Sequence, residues 1–206
     1  MVMQLELLLV NPDPEMCEEW RSAFSQFDNV TVIEGLFEDL PPHDCFVTAA
    51  NSFGLMTAGI DAAVVDFHGQ VLMDRLQLRI QAEFLGEQPV GTAIVEATGT
   101  DGYPFVVHAP TMRVPKAIDG TDGVYIATWA SLVAIYRHNL QSTEPIRTVG
   151  LPAMGAGFGN VPFREVARQM AVAFGNFLHP PATLDWDAII ERHKRLSYDG
   201  DDKIIN

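Results

Sequence analysis

Three features of this sequence predict a mixed, three-layer α/β/α fold. Short apolar runs alternate with segments of helical period for most of the chain. A single β-β connection interrupts that alternation near the middle. The 48% of hydrophobic residues among 206 is enough to bury one core.

The elements follow in order. Val2 to Val10 is aliphatic and reads as a buried strand, after which Asn11-Pro12-Asp13-Pro14 supplies cap residues and a proline for the first turn of a helix. Met16, Trp20, Phe24 and Phe27 recur at helical spacing, which predicts a helix over about 15–27 with its apolar stripe in the core. Val30 to Glu34 is a second strand, and Cys45 to Ala50, closing on Asn51, a third. Between them lies a loop containing Pro41-Pro42. Ile60, Val64, Phe67, Val71, Leu72, Leu76, Ile80 and Phe84 lie three or four apart, predicting one helix over 59–85. Thr92 to Ala97 and Phe105 to Ala109 read as a hairpin about the turn Gly99-Thr100-Asp101-Gly102. A helix over about 124–139, a strand over 146–151 and a helix from Pro162 to Leu178 complete the alternation. Pro180-Pro181 breaks the chain, so residues 1–180 are expected as one domain and 181–206 as an extension. The extension holds a short helix over 186–196 and a polar end expected to fray.

Charge and composition exclude several functions. With 27 acids against 13 bases, the formal charge of −14 repels a phosphate backbone, and duplex nucleic acid is not an expected partner. Apolar runs fall short of the roughly 20 residues of a membrane span, and the first residues lack the pattern of a secretory signal, so a cytoplasmic protein is expected. Cys17 and Cys45 form neither a CxxC nor a Cys/His cluster, so no disulfide, metal or cofactor is expected. A serine-hydrolase elbow, a P-loop and a dinucleotide fingerprint are all missing.

Two loops carry the chemistry. In open α/β sheets ligands gather at the carboxyl ends of strands. The first loop there is Asn51-Ser52-Phe53-Gly54-Leu55-Met56-Thr57-Ala58-Gly59-Ile60-Asp61, whose small residues let a ligand approach a helix N-terminus. The second is Gly155-Ala156-Gly157-Phe158-Gly159-Asn160-Val161-Pro162, with three glycines and an aromatic ring before a proline-initiated helix. A pyrophosphate held by such backbone N–H groups needs no lysine or arginine, so overall acidity and a local anion site are compatible.

These segments resemble the two ligand loops of the macro domain family. Thr48-Ala49-Ala50-Asn51 with Gly59-Ile60-Asp61 matches the pattern N-A-A-N…G-G-V-D. Gly155 to Gly159 with Pro162 matches the second loop, while Val90 to Ala93 and Val106 to Pro110 resemble two further family strands. Ala50 to Gly54 and Ala109 to Pro115 are similar to a bacterial and phage-associated subgroup. The resemblance covers about residues 2–178. It implies a site for ADP-ribose or a related nucleotide, free or on an ADP-ribosylated protein, and leaves open whether the chain hydrolyses ADP-ribosyl linkages or only binds.

By that resemblance Asn51 bonds the distal ribose, although an asparagine ending a strand also caps turns. Gly59 and Ile60 offer N–H groups to a phosphate. Gly155, Ala156, Gly157, Phe158 and Gly159 wrap the diphosphate from the other side, with Gly157 expected to need positive φ and Phe158 to pack on the ribose or fold into the core. Asp61 holds the position of the family's water-activating aspartate, where the helix dipole would favour an acid anyway. Asn51 and Asp61 are thus the catalytic candidates. The adenine-reading aspartate of the family is replaced by Leu36, leaving Glu34, Glu38 or Asp39 as substitutes. His68 and His108 could face the cleft or serve as hydrogen-bonded structural histidines, His108 and Asn51 being expected near the ends of neighbouring strands, and Arg113 could meet a phosphate or a carboxylate or lie solvated in its loop.

Overall fold

The computed structural model describes residues 5–197. Six strands, β1 (Glu6–Asn11), β2 (Val30–Glu34), β3 (Cys45–Asn51), β4 (Ile94–Thr100), β5 (Tyr103–Met112) and β6 (Thr148–Leu151), form one sheet in the order β2-β1-β6-β3-β5-β4. All neighbours are parallel except β4 and β5, which pair antiparallel, so the sheet is mixed. The direct β4-β5 connection is the hairpin that the sequence predicts. Thr100 pairs with Tyr103, leaving Asp101-Gly102 as its two-residue tip.

The strand pleat sorts side chains into two cores. Leu7, Leu9, Cys45, Val47, Val107 and Ala109 face α1 (Pro14–Ala23), α4 (Gly123–Gln141) and α5 (Phe163–Leu178), packing with Trp20, Leu132 and Phe174. Their neighbours Leu8, Val10, Phe46 and Val106 face the opposite side, against Val64 of α2 (Gly59–His68) and Leu72, Leu76 and Ile80 of α3 (Gln70–Phe84). Helices therefore cover both faces, giving the three layers expected.

The single helix predicted over 59–85 is two helices. Gly69 has φ +91°, outside the helical region, and its N–H closes α2 on the Val65 carbonyl. Hydrophobic periodicity continues across the break because both helices lie on the same face of the sheet.

The strand expected to end at Ala109 runs on to Met112, through Pro110. Proline is tolerated there because β4 pairs with β5 only as far as Ile94 opposite His108, so no N–H is needed on that side.

Helix α6 (Trp186–Leu196) follows the Pro180-Pro181 break and is capped by Asp185, which accepts from the Ala188 N–H at 2.9 Å. It leans on the domain through Arg168, which donates to the Arg195 and Leu196 carbonyls, and through Arg192 over the Trp129 ring. The fraying expected of the last residues, and the first part of the opening strand, lie outside the described residues.

Candidate functional site

Parallel strands β1, β6, β3 and β5 all end at one edge of the sheet, and the segments leaving them enclose a cavity of about 570 Å³. That size suits a nucleotide-class ligand. Lining it are Asn11 from the end of β1, Asn51 from β3, Thr111 and Met112 from β5, and Pro152 and Ala153 after β6. Asn51, Gly59, Ile60, Asp61, Gly155, Ala156, Gly157, Phe158 and Gly159, singled out from the sequence, all border this cavity.

Ala58 caps α2 without a side-chain bond, and among the described residues the N–H groups of Gly59, Ile60 and Asp61 find no acceptor. Across the cavity the N–H groups of Gly157, Phe158 and Gly159 likewise find none among the described residues. Both sets of free donors border the same cavity, one of them at the positive end of a helix dipole, an arrangement that suits an anion.

The second loop corrects one expectation. Gly157 has no positive φ, and a Cβ there would meet open space. The constrained positions are its neighbours. Gly155 has φ +79°, and a Cβ on Gly159 would come within 2.3 Å of the Gly155 carbonyl oxygen. The tight turn is closed by the Val161 N–H on that same carbonyl. Phe158 is not folded into the core; it is 62% exposed at the edge of the cavity.

Asp61, in the first turn of α2, is 4% exposed, and its Oδ1 has no hydrogen-bond partner. Burial pushes its pKa up to about 7. The Thr48 hydroxyl on β3 acts in the opposite sense, holding the rise back. That hydroxyl donates to the Val107 carbonyl at 3.4 Å, a long bond. A buried carboxyl at a cavity wall, with one oxygen unpartnered and its pKa near neutral, is suited to accept a proton from something bound there.

Asn51 is largely committed to its own loop. Its Oδ1 accepts from the Phe53 and Leu55 N–H groups at 3.0 and 3.4 Å, and its Nδ2 donates to the Leu55 carbonyl at 2.8 Å. One amide hydrogen is left for a ligand.

Other candidates part company. Leu36 borders the cavity, as does Glu38, whereas Glu34 does not, and the Asp39 carboxylate is used locally, accepting the Leu36 N–H at 2.8 Å. His108 lies mid-strand opposite Thr48, four residues short of the end of β5, and is fully buried, so it borders no cleft. Its strand does neighbour that of Asn51, as expected. His68 closes α2 at the end away from the loops and hydrogen-bonds Thr100 at 2.9 Å. Arg113 is held by Glu87 at 2.6 and 2.9 Å and covers the Phe53 ring, so it braces the first loop from behind. Sequence reasoning missed Val10, Pro152 and Ala153. Their only sequence signal is position, at or just after the end of a strand.

A family model described as Macro domain matches residues 47–170, which spans both loops and every strand between them. The chain belongs to the macro domain family. An uncharacterized protein of Aquifex aeolicus is 30% identical to this macro domain over 149 residues, 72% of this chain and 82% of the relative. One of Aeropyrum pernix is 32% identical over 130 residues, where the macro domain chain spans only 62% of the relative's length. Among solved structures, the Oceanobacillus iheyensis macrodomain with ADP matches at a TM-score of 0.57 and 20% identity, covering 67% of this chain and 70% of that one. A mutant of the same protein with ADPR matches at 0.60 and 18%, covering 87% and 82%. The macrodomain of Mycobacterium tuberculosis DarG matches at 0.55 and 20%, covering 66% and 84%. These likenesses establish the shared fold.

Proposed function

We propose that this macro domain binds ADP-ribose between its two loops and hydrolyses the linkage that joins the distal ribose to a carrier. The observation that carries the reading is the buried Asp61 carboxyl, with its unpartnered Oδ1, on the wall of a cavity that two loops with free backbone N–H groups also border. Those donors suit a diphosphate in a site whose charged lining side chains are both acids, Glu38 and Asp61. Solved macrodomains of the same fold were obtained with ADP and ADPR.

In the proposed step a water oxygen bonds to the anomeric carbon as the bond from that carbon to the carrier heteroatom breaks. Asp61 takes a proton from the water, and the departing heteroatom takes one up in exchange, so one water is consumed per linkage. Asn51 holds the first loop and offers its remaining amide hydrogen to the ribose, while Phe158 covers the sugar. Glu38 is assigned to the base in place of Leu36. A module that binds the same nucleotide without turnover is the second reading, favoured by the engagement of Asn51 within its own loop.

Residues 1–180 are assigned to the macro domain and 181–206 to an appended segment, since α6 buries none of its residues. A cytoplasmic location fits two free, buried cysteines. The deciding experiment measures release of ADP-ribose from a mono-ADP-ribosylated substrate by wild type and Asp61→Asn, alongside calorimetric binding of ADP-ribose to both. Binding with release by wild type alone supports hydrolysis. Binding without release by either leaves the module, and absence of binding removes the assignment.

A further inference from the structure

We infer that the carrier of the ADP-ribosyl group is a polypeptide that is basic and apolar around the modified residue; this rests on the ADP-ribose reading above. Three observations lead there. First, the charged side chains lining the cavity are carboxylates, Glu38 and Asp61, the latter only 4% exposed. A bound diphosphate can be met by the loop N–H groups, but among the described residues the lining offers no lysine or arginine to a further phosphate brought by the carrier.

Second, the open rim is apolar. Leu55 and Phe158, one from each loop, and Val114 beyond β5 line the cavity while remaining 54%, 62% and 41% exposed. A carrier seated over them gains by covering them with apolar side chains, which a sugar-phosphate backbone does not present. Arg113 does not alter the sign of this rim, since its guanidinium is already bidentate with Glu87.

Third, the surroundings are acidic. The Ile118 N–H bonds the Gly159 carbonyl, tying the segment that carries exposed Lys116, Asp119 and Asp122 to the second loop, two acids against one base. The chain as a whole carries −14. Such a surface attracts a basic peptide and slows the approach of a polyanion.

The test uses the full chain and four probes. Three carry one ADP-ribosyl group through the same hydrolysis-resistant linkage: a peptide rich in Lys, Arg and Leu, its counterpart with Glu for every base, and a single-stranded oligonucleotide. The fourth is free ADP-ribose. All compete against one labelled ADP-ribose. The basic peptide is expected to bind at least about tenfold more tightly than the acidic peptide and the oligonucleotide at low salt. That gap should narrow at ~1 M salt, where the Debye length is about 3 Å, leaving the apolar contribution. Equal affinities, or a preference for the oligonucleotide, would overturn the inference while free ADP-ribose binding left the parent reading standing. Failure of free ADP-ribose to bind would overturn both.

Discussion

The Oε1 atom of Gln88 lies 2.7 Å from Nδ1 of His108, and both side chains are sealed from solvent behind the first ligand loop. The same glutamine donates its backbone N–H to the Ser52 carbonyl at 2.8 Å and its side-chain amide to the Thr92 and His108 carbonyls. One residue thus ties the loop after β3 to β5 and to the entry of β4. Gln88→Leu would keep the backbone bond to Ser52 but strand the His108 ring and the Thr92 and His108 carbonyls, and a loss of about 1–3 kcal/mol in urea unfolding is expected. A variant as stable as wild type would remove Gln88 from this role.

His108 also sets a pH dependence. Burial holds its folded pKa down to about 4, against 6.5 in the unfolded chain. Between those values the unfolded state binds a proton that the folded state refuses, so stability is complete above pH 6.5 and declines as pH falls toward 4. A shift of this size corresponds to about 3 kcal/mol. Burial likewise pushes His68 down to about 4, adding to the same slope. Asp61 opposes it, because its folded pKa of about 7 exceeds 3.8 and costs stability as pH rises between them. Unfolding free energies measured from pH 7 to 4.5 should therefore slope less steeply in His108→Leu and more steeply in Asp61→Asn than in wild type. Identical slopes in all three proteins would contradict both assignments.

Turnover should follow the ionisation of Asp61. If the carboxylate is the base, kcat/KM rises with pH and levels off above about 7. Asp61→Asn should lose roughly 100-fold or more in kcat while holding ADP-ribose within a few-fold of wild type. A pH-independent rate in wild type would place the base elsewhere.

The second loop separates space from strain. Gly157→Glu puts a carboxylate beside the free N–H groups of the second loop, in a backbone that accepts a side chain, so ADP-ribose binding should collapse with the melting temperature unchanged. Gly159→Ala does the reverse first. Its methyl would sit on the Gly155 carbonyl, and a destabilisation of about 1–3 kcal/mol is expected. A Gly157→Glu protein that still binds would show that the loop holds no phosphate.

At the base end Glu38→Ala should weaken ADP-ribose by about 1.5–3 kcal/mol, the worth of a hydrogen bond to a charged group, and leave the inosine analogue untouched. Parallel calorimetric titrations decide it. Equal loss for both ligands would mean that Glu38 does not read the adenine amino group.

Pattern alone reached the layers, the mixed sheet and the two loops, because these follow from short-range chemistry. Alternation of Leu7 and Leu8 or of Val106 and Val107 between the two cores is a property of the pleat, and glycines clustered after β6 mark a turn wherever the chain goes. Long-range packing decided the remainder. Gly69 reads as one more residue in a periodic run until its φ of +91° is seen, and His108 reads as a strand end until β5 is found to pair with β3 as far as Met112. That Gly155 and Gly159, rather than Gly157, require glycine depends on a carbonyl 2.3 Å from a missing Cβ. The raised pKa of Asp61 arises from desolvation by surrounding elements, with Thr48 of β3 pulling against it, none of which its neighbours in sequence reveal. The sequence determined which residues could do chemistry; tertiary packing decided which of them are buried and left without a partner, since burial and approach depend on residues far apart in the chain.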